Sequence, residues 1–335
     1  MEKPRLSSTL QLLELRSFKQ ISFWWRNLSF FQKVWPALFV SSYWMILQLI
    51  GGFRGDHIFA GCVLLLLSYS GPVGRVFLKF GLPFILTALV YDSQRFYGES
   101  IRGTIHILEP YLFDRYFFGI QSNHQVLTPN EWWQLHTHPV LDFIAGIAYL
   151  VFFILFICIA IYFTFFLGRR GNQRMSGPQI QEVAFKMPWA FFFLNMLGYS
   201  TYYWYAAAPP WYVAKYGFGP VLSNAPSDMA GCIRFDQLMG VQIFKSMYCR
   251  AADVFGAIPS LHVSYPLLAV IFAFYFGSAR LFCISFYIVM CFAAVYLNHH
   301  YILDIIWGSA YALAIGWITL RWHSLRNFGA NGPKS

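Results

Sequence analysis

Eight apolar runs constrain the fold of this chain of 335 residues more than any other feature. Most of them approach the ~20 residues that a helix needs to cross the hydrocarbon layer of a bilayer. Because 58% of the residues are hydrophobic and only 11% are charged, the apolar surface exceeds what one core can bury, and lipid must cover the rest. The sequence therefore predicts an all-α, polytopic membrane protein. The runs lie at about 34–53, 57–73, 77–91, 139–167, 188–208, 257–276, 281–298 and 302–320.

The charges between the runs predict how the chain crosses the membrane. Lys and Arg are enriched in cytoplasmic loops. With the N-terminus inside, the basic stretches that follow residues 73, 167, 276 and 320 all fall inside, and the less basic segments 92–138 and 209–256 fall outside. About eight transmembrane helices satisfy every loop. Six also satisfy them if 57–91 is a hairpin that does not cross, because the run at 77–91 is short and contains Lys79 and Pro83.

The net charge of +10 does not indicate nucleic-acid binding, because the charges lie in short stretches beside the apolar runs. That pattern sets topology and attracts anionic lipid head groups. Cys232 and Cys249 share an outer segment and could form a disulfide in an oxidising compartment. The cysteine spacing shows no metal-ligand pattern.

Two short motifs, at 257–262 and 299–304, carry the candidate chemistry at the outer ends of predicted spans. Asp304 follows His300 by four residues, so both side chains lie on one helix face, one turn apart. A carboxylate in that position fixes the tautomer of an imidazole and raises its basicity. We expect His300 to attack phosphorus and His262, on another helix, to act as general acid and base.

A structural interpretation of these histidines competes with the catalytic one. A single histidine near a helix end is usually an interfacial residue. An ionisable pair inside a predicted span is rarer and usually functional, which favours catalysis for His300 and Asp304. His299 points about 100° away from His300 on a helix, so a structural role and a substrate contact fit it equally well.

Four blocks of sequence resemble one enzyme family. They are Ala207–Tyr212 (Ala-Ala-Pro-Pro-Trp-Tyr), Arg234–Gly240 with its Arg-x-Asp, Val254–His262 with Pro-Ser-Leu-His, and Tyr296–Asp304 with His-His-Tyr-x-x-Asp. In order and spacing they are similar to the inositol phosphorylceramide synthase family, within the type 2 phosphatidic-acid phosphatase superfamily. The match spans about 200–310 and weakens to a likeness in hydropathy before 140.

The resemblance implies roles for these residues. His300 would be the nucleophile, Asp304 its orienting base and His262 the acid and base, with no metal and no cofactor. The reaction implied is transfer of phosphoinositol from phosphatidylinositol to the primary hydroxyl of ceramide through a phospho-histidine, releasing diacylglycerol. The residues expected to contact substrate are Arg234, Asp236, Ser260, His299, Tyr301, Trp211, Tyr212 and Lys215.

One departure from the superfamily concerns phosphate binding. The Ser-Arg that its phosphatases place before the nucleophile is replaced here by Ala293 and Ala294. A phosphodiester carries one negative charge, so fewer cations are needed. Arg234 is the expected replacement, and Lys215, Lys245 and Arg250 are further candidates. Trp211 and Tyr212 could be interfacial anchors or a wall against the polyol. Asp142 could cap a helix, the favoured role, or bind inositol hydroxyls.

The hydropathy and charge pattern also predicts an organisation and a location. We expect a cytoplasmic basic, amphipathic segment at 1–33, spans with outer interfacial helices at 34–138, a catalytic membrane domain at 139–320 with the outer loop 209–256, and a cytoplasmic tail at 321–335. Apolar spacing within 104–118 predicts a helix lying flat at the outer interface. The active site would face the periplasm of a bacterial inner membrane, which we favour, or the lumen of a Golgi membrane.

Other functions remain open at this point. A lipid phosphatase, or a phosphotransferase with another donor head group or acceptor lipid, would share the histidine chemistry. A transporter or intramembrane metal protein could use the same histidines, although the sequence has no internal repeat. The expected partners are phosphatidylinositol, ceramide and membrane lipids, with a regulatory membrane subunit if the enzyme is of the fungal type. Nothing in the sequence indicates the oligomeric state.

Overall fold

The helices follow the apolar runs. The computed structural model describes residues 18–248 and 254–330. The helices before residue 170 are α1 Phe18–Arg26, α2 Phe30–Leu49, α3 Gly55–Tyr69, α4 Pro72–Ile101, α5 Leu108–Phe118, α6 Pro129–Leu135, α7 Pro139–Ile161, which continues through a π-helical turn at Tyr162–Leu167, and α8 Gly168–Arg170. The later helices are α9 Gly177–Ala184, α10 Met187–Trp204, α11 Pro210–Tyr216, α12 Cys232–Met239, α13 Ile243–Tyr248, α14 Leu261–Phe276, α15 Arg280–Tyr296 and α16 Ile302–Ala330.

Several helix starts are encoded locally. Ser29 and Gln32 form a capping box before α2, and Thr128 and Glu131 form another before α6. In each box the two side chains satisfy backbone N–H groups that have no partner within the helix. Proline stands in the first turn of α4, α6 and α7, where its missing N–H costs no hydrogen bond.

Three helices among the described residues are long and apolar enough to cross a membrane. They are Pro72–Ile101, Pro139–Arg170 and Ile302–Arg321. Gly55–Tyr69, Leu261–Phe276 and Arg280–Tyr296 are apolar but shorter. The expectation of a mostly helical membrane protein is therefore confirmed, and the number of crossings stays a prediction.

The apolar run at 77–91, the weakest candidate span in the sequence, lies in the middle of α4. Pro83 sits inside this helix without ending it. Proline removes one backbone hydrogen bond from a helix interior. The Thr87 hydroxyl donates to the Pro83 carbonyl at 2.8 Å, which adds a side-chain hydrogen bond next to the position of the missing one. Because the helix continues to Ile101, it has the length to cross a bilayer.

Four short strands connect the loops at one end of the bundle. β1 Ile105–His106 pairs in parallel with β4 Ala206–Ala207, in the register Ile105 with Ala206. Ala207 also bridges to Gly256, so the latch defined by 105–106, 206–207 and 256 joins three distant segments. The helix predicted over 104–118 therefore begins only at Leu108, because 105–106 pair as a strand. β2 Ile120–Ser122 and β3 Gln125–Leu127 form a hairpin.

Helix α14 lies at the centre of the functional half of the protein. It packs against α15, α16, α7 and α10. Large apolar side chains on the outward faces of these neighbours remain exposed, as lipid-facing residues would be, among them Ile154 on α7 and Leu281 and Ile288 on α15. The apolar core thus holds α14 while lipid-facing surface surrounds it.

Close contact between α14 and α16 depends on Gly308. A Cβ at this position would lie 2.4 Å from the Ser260 carbonyl oxygen and 2.8 Å from the Ser264 hydroxyl oxygen. The Ser264 hydroxyl donates to the carbonyls of Ser260 and Gly308 at 2.7 and 2.9 Å, so the backbones are joined at this crossing. A methyl group cannot fit without separating the helices.

We expect Gly308→Ala to destabilise the protein by about 1–3 kcal/mol through overpacking. Gly81→Ala is the matched control, because nothing lies within 4 Å of its added Cβ and alanine favours the helix interior. Thermal unfolding in lipid nanodiscs measures both. Equal stability of the two variants would show that α14 and α16 can separate freely.

Candidate active site

A pocket of about 100 Å³ opens at the end of the bundle where α14 begins and α15 meets α16. Its walls come from segments that are far apart in sequence, and three histidines lie together on one side. The lining residues are Pro209, Trp211, Ser227, Asp228, Tyr248, Val254, Gly256, Ala257, His262, His299 and His300.

His262 and His300 face each other across helices. His262 Nδ1 lies 3.1 Å from His300 Nε2, and the ring centroids are 5.2 Å apart. His300 Nδ1 lies 3.1 Å from the Ala257 carbonyl and 3.2 Å from the Asp304 carboxylate, both acceptors. Nδ1 of His300 must therefore carry the proton, which leaves a lone pair on Nε2. His262 Nδ1 donates to that lone pair.

Asp304 connects the parts of this arrangement. Its carboxylate is completely buried and accepts hydrogen bonds from His300 Nδ1 and from the Tyr301 amide at 2.9 Å. Its backbone carbonyl accepts from the Ser260 amide at 2.9 Å, two residues before His262. One residue thus holds both the nucleophile candidate and the start of α14.

The turn between α15 and α16 orients His299 and His300. Asn298 adopts φ +61°, a left-handed conformation that asparagine tolerates better than most residues. The amides of His299 and His300 then both donate to the Ala294 carbonyl, at 3.2 and 3.1 Å. The tight turn brings His300 over the first turn of α16, above Asp304.

His299 sits between two aromatic rings. It stacks on Tyr149 and Tyr248, with centroids 5.3 and 5.0 Å apart. Its Nε2 lies 3.1 Å from the Met229 carbonyl and 3.4 Å from the Cys232 sulfur. His299 therefore lines the pocket as a fixed wall. The suggested partner of Cys232, Cys249, lies outside the described residues.

The remaining predicted site residues differ in their distance from the pocket. Trp211 lines it, and its backbone amide donates to the Asn298 carbonyl at 3.1 Å. Tyr212, Ser260 and Tyr301 are buried next to the lining segments but do not line the pocket.

Arg234 does not line the pocket. Its guanidinium donates to the Asp142 carboxylate, to the Gln134 side-chain oxygen at 2.9 Å and to the Tyr296 carbonyl at 3.2 Å. Asp142 also accepts from the Tyr296 hydroxyl at 2.9 Å. The N-cap of α7 is His138, so Asp142 holds Arg234 rather than capping this helix.

Two other predicted residues hold the loops beside the pocket. The Asp236 carboxylate accepts from the amides of Phe244 and Lys245, at 3.2 and 3.1 Å. Lys215 donates to Asp228 at 2.8 Å, and Asp228 itself lines the pocket. Burial opposes ionisation of Asp228, but Lys215 and the Ala230 amide outweigh it and lower the pKa of this carboxyl.

Ser227, Asp228 and Tyr248 are pocket residues that sequence reasoning missed. None belongs to a recognisable motif, and their places in the wall depend on how the described parts of the chain between β4 and α14, 208–248 and 254–260, pack beside the histidines. A single acidic residue in a loop, such as Asp228, cannot be identified as a pocket residue from sequence until the course of the loop is known.

Comparison with known proteins identifies the class. A sequence model described as the PAP2 superfamily matches residues 123–318. The chain is 34% identical over 271 residues to the phosphoinositol dihydroceramide synthase of Bacteroides thetaiotaomicron, covering 80% of this chain and 84% of that protein. No solved structure matches it.

Fungal relatives are more distant. The chain is 27% identical over 274 residues to the inositol phosphorylceramide synthase catalytic subunit aur1 of Schizosaccharomyces pombe, covering 78% of this chain and 58% of that protein. It is 28% identical over 124 residues to the corresponding subunit of Saccharomyces cerevisiae, covering 37% and 31%. These matches extend the resemblance well beyond 200–310. The chain belongs to the PAP2 superfamily and, within it, to the transferases of the inositol phosphorylceramide synthase family.

We expect Arg234→Gln to destabilise the protein by about 2–3 kcal/mol, below the ~3–5 kcal/mol of a fully buried pair, because it leaves Asp142 unpaired and poorly solvated. Asp142→Asn should cost a similar amount, and the double variant should cost less than the sum. Thermal unfolding in nanodiscs measures this cycle. Additive losses would show that the two side chains act independently.

Proposed function

We propose that this protein transfers phosphoinositol from phosphatidylinositol to the primary hydroxyl of a ceramide-type lipid and releases diacylglycerol. The observation that carries the proposal is the contact between His262 and His300 in the wall of one pocket, with the buried Asp304 carboxylate bonded to His300 from behind. The names of the bacterial and fungal relatives supply the donor and acceptor classes.

In the first step His300 Nε2 attacks phosphorus, and the bond from phosphorus to the diacylglycerol oxygen breaks. His262 acts as general acid in its imidazolium form and gives its proton to that oxygen. The anionic phosphodiester favours the imidazolium. In-line attack places phosphorus between His300 Nε2 and the leaving oxygen. The phosphoryl group therefore has to lie between the two rings when substrate is bound, and contacts with it replace the direct hydrogen bond between His262 and His300.

In the second step the acceptor hydroxyl attacks the phospho-histidine. His262, now neutral, takes the hydroxyl proton, and the bond from phosphorus to Nε2 breaks. Throughout, Asp304 and the Ala257 carbonyl hold the proton on His300 Nδ1 and stabilise the positive charge that develops on the ring.

The charge of the pocket supports a phosphodiester over a phosphomonoester. Within the described ranges, 18–248 and 254–330, neither Lys nor Arg lines the pocket. Arg234 and Lys215 are paired with Asp142 and Asp228 instead. Hydrolysis of a dianionic monoester needs cations close to the phosphate, and the described part of the lining supplies none.

The pair formed by Asp228 and Lys215 supports an uncharged polyol head group. A lone carboxylate beside Trp211 and Tyr248 would suit a choline or ethanolamine cation. Lys215 neutralises the carboxylate and repels a second ammonium. The carboxylate can still accept hydrogen bonds from ring hydroxyls, as the Ser227 side chain can.

The proposal places the pocket at the outer membrane surface, on the periplasmic or lumenal side. This orientation follows from the excess of Lys and Arg in the segments at the opposite end of the bundle. Diacylglycerol release into the bilayer requires a lateral opening at head-group depth.

Replacement of the nucleophile tests the reaction. We expect His300→Ala to lower phosphoinositol transfer to labelled ceramide by more than about 1,000-fold, because no covalent intermediate can form. Asp304→Asn should lower it by about 10,000-fold through the wrong tautomer. His136→Ala is the control, since His136 is an exposed histidine outside the pocket. Products are identified by mass spectrometry. Full activity of His300→Ala would refute the mechanism, and free phosphate from phosphatidic acid would indicate a phosphatase.

Selectivity for the donor tests the head-group site. We expect Asp228→Asn to lower transfer from phosphatidylinositol about 10–100-fold, the effect of one hydrogen bond to a charged acceptor. Lys215→Gln should raise the ratio of phosphatidylethanolamine to phosphatidylinositol use, because it leaves Asp228 negative. Competition between the two donors in mixed vesicles measures the ratio. An unchanged ratio in both variants would exclude Asp228 from head-group binding.

A further inference from the structure

The segment between α4 and α7 holds polar side chains under the catalytic turn. Asp114 on α5 is completely buried, and its carboxylate accepts from the Ile302 amide at 2.7 Å and the Leu303 amide at 3.0 Å. These are the first amides of α16, which carries Asp304. The first N–H groups of any helix have no partner within the helix.

The local sequence cannot provide this cap. The residue before α16 is Tyr301, whose side chain has no acceptor near its own backbone. Asp304 uses its carboxylate on the Tyr301 amide and on His300 Nδ1. The amides of Ile302 and Leu303 therefore depend on an acceptor from another element, and Asp114 is that acceptor.

A second buried side chain holds the other end of the turn. The Asn130 amide group donates to the Val295 carbonyl and to the His300 carbonyl, both at 3.0 Å. Gln134 donates to the Tyr296 carbonyl at 3.0 Å. These carbonyls lie in the last turn of α15 and on the nucleophile candidate itself, so α6 closes the C-terminal end of α15.

We propose that α5 and α6 form a clamp that positions the catalytic turn, with Asp114 and Asn130 as its two positioning residues. This inference rests on the proposed function, in which His300 and Asp304 act together. Neither clamp residue lines the pocket or touches the reacting atoms. They act by setting where the backbone of His300 lies relative to the first turn of α16.

The geometry of the site explains why such a clamp matters. The contact between His300 Nδ1 and Asp304 is 3.2 Å long and spans the junction of turn and helix. A movement of the α16 start by about 1 Å breaks that contact, and misplacements of this size cost about 100-fold in rate. The clamp holds both sides of the junction by backbone groups, which no local side chain does.

The ionisation of Asp114 provides a specific signature. Burial raises the pKa of this carboxyl to about 7, although the amides of Ile302 and Leu303 oppose the shift. Asp304 raises it further. Above about pH 7 the ionised Asp114 carboxylate accepts strong hydrogen bonds from the Ile302 and Leu303 amides. Below this pH the carboxyl is protonated, and its hydrogen bonds to the two amides are weaker. The other titratable side chains near the contact are Tyr301, Tyr111 and Glu131, and Arg115 follows Asp114 on α5.

The test compares Asp114→Asn with the unmodified protein from pH 6 to pH 8.5. Asparagine has the shape of the protonated carboxyl, so we expect kcat to fall about 10–100-fold at pH 8 with KM for phosphatidylinositol within about twofold. The ratio of kcat between the unmodified protein and Asp114→Asn should decrease as the pH falls below about 7, where Asp114 is protonated. A merely structural defect would lower activity equally at every pH. Glu109→Gln is the control, because Glu109 is an exposed acid on the same helix and its carboxylate pairs with His106 rather than with α16.

Hydrogen exchange separates this inference from the proposed reaction. In nanodiscs, the amides of Ile302 and Leu303 should exchange at least tenfold faster in Asp114→Asn, whatever reaction the protein catalyses. Asn130→Asp, which replaces a donor with an acceptor facing two carbonyls, should speed exchange across 296–300, with Asn123→Asp in the hairpin as its control. Unchanged exchange and unchanged kcat at pH 8 would overturn the clamp. Faster exchange in a protein that transfers no phosphoinositol would retain the clamp and refute the proposed function.

Discussion

The hydrogen bonds of Asp304 are the constraint on which the rest of the site depends. Its carboxylate holds His300 Nδ1 and the Tyr301 amide, and its carbonyl holds the Ser260 amide. The start of α14, which carries His262, and the turn that carries His300 are thus both hydrogen-bonded to one buried residue. The 3.1 Å approach of His262 to His300 is a consequence of that shared anchor.

Within residues 18–248 and 254–330, the structure places neither Lys nor Arg in the pocket lining. Arg234 and Lys215 were expected to contact phosphate, yet each is paired with a carboxylate, Asp142 in one case and Asp228 in the other. An unpaired guanidinium beside the histidines would bind any phosphate strongly and would disfavour the imidazolium of His262. A pocket whose described lining has one carboxylate, Asp228, paired with Lys215 suits a monoanionic diester flanked by two lipid chains, whose apolar contacts can supply the binding energy.

The sequence predicted the parts of the site that depend on short spacing. Helical spacing predicted that His300 and Asp304 meet, and they do, although α16 begins only at Ile302 and the contact crosses the junction of turn and helix. The Pro-Ser-Leu-His block placed His262 at a helix start, which the structure confirms for α14. Long apolar runs likewise predicted the long helices, and apolar spacing predicted most of α5, whereas α6 was not predicted.

Contacts between distant segments could not be predicted in this way. Asp114 lies far from Ile302 in the chain, yet the two are hydrogen-bonded. The same holds for Arg234 and Asp142, and Asp228 lines the pocket with the distant His300. No local sequence pattern links the members of these pairs. Asp142 resembled a helix cap because it begins an apolar run, but His138 already occupies that position. A single sequence records which polar residues exist, and only the fold shows which of them meet.

The latch formed by 105–106, 206–207 and 256 has a consequence for how one wall of the pocket is specified. Its bonds join main-chain groups: the Ala207 amide donates to the Phe255 carbonyl at 2.8 Å, and the Ala208 amide donates to the His106 carbonyl at 2.9 Å. Gly256, next to Phe255, lines the pocket. The position of this wall is therefore set by the path of the main chain through three distant segments.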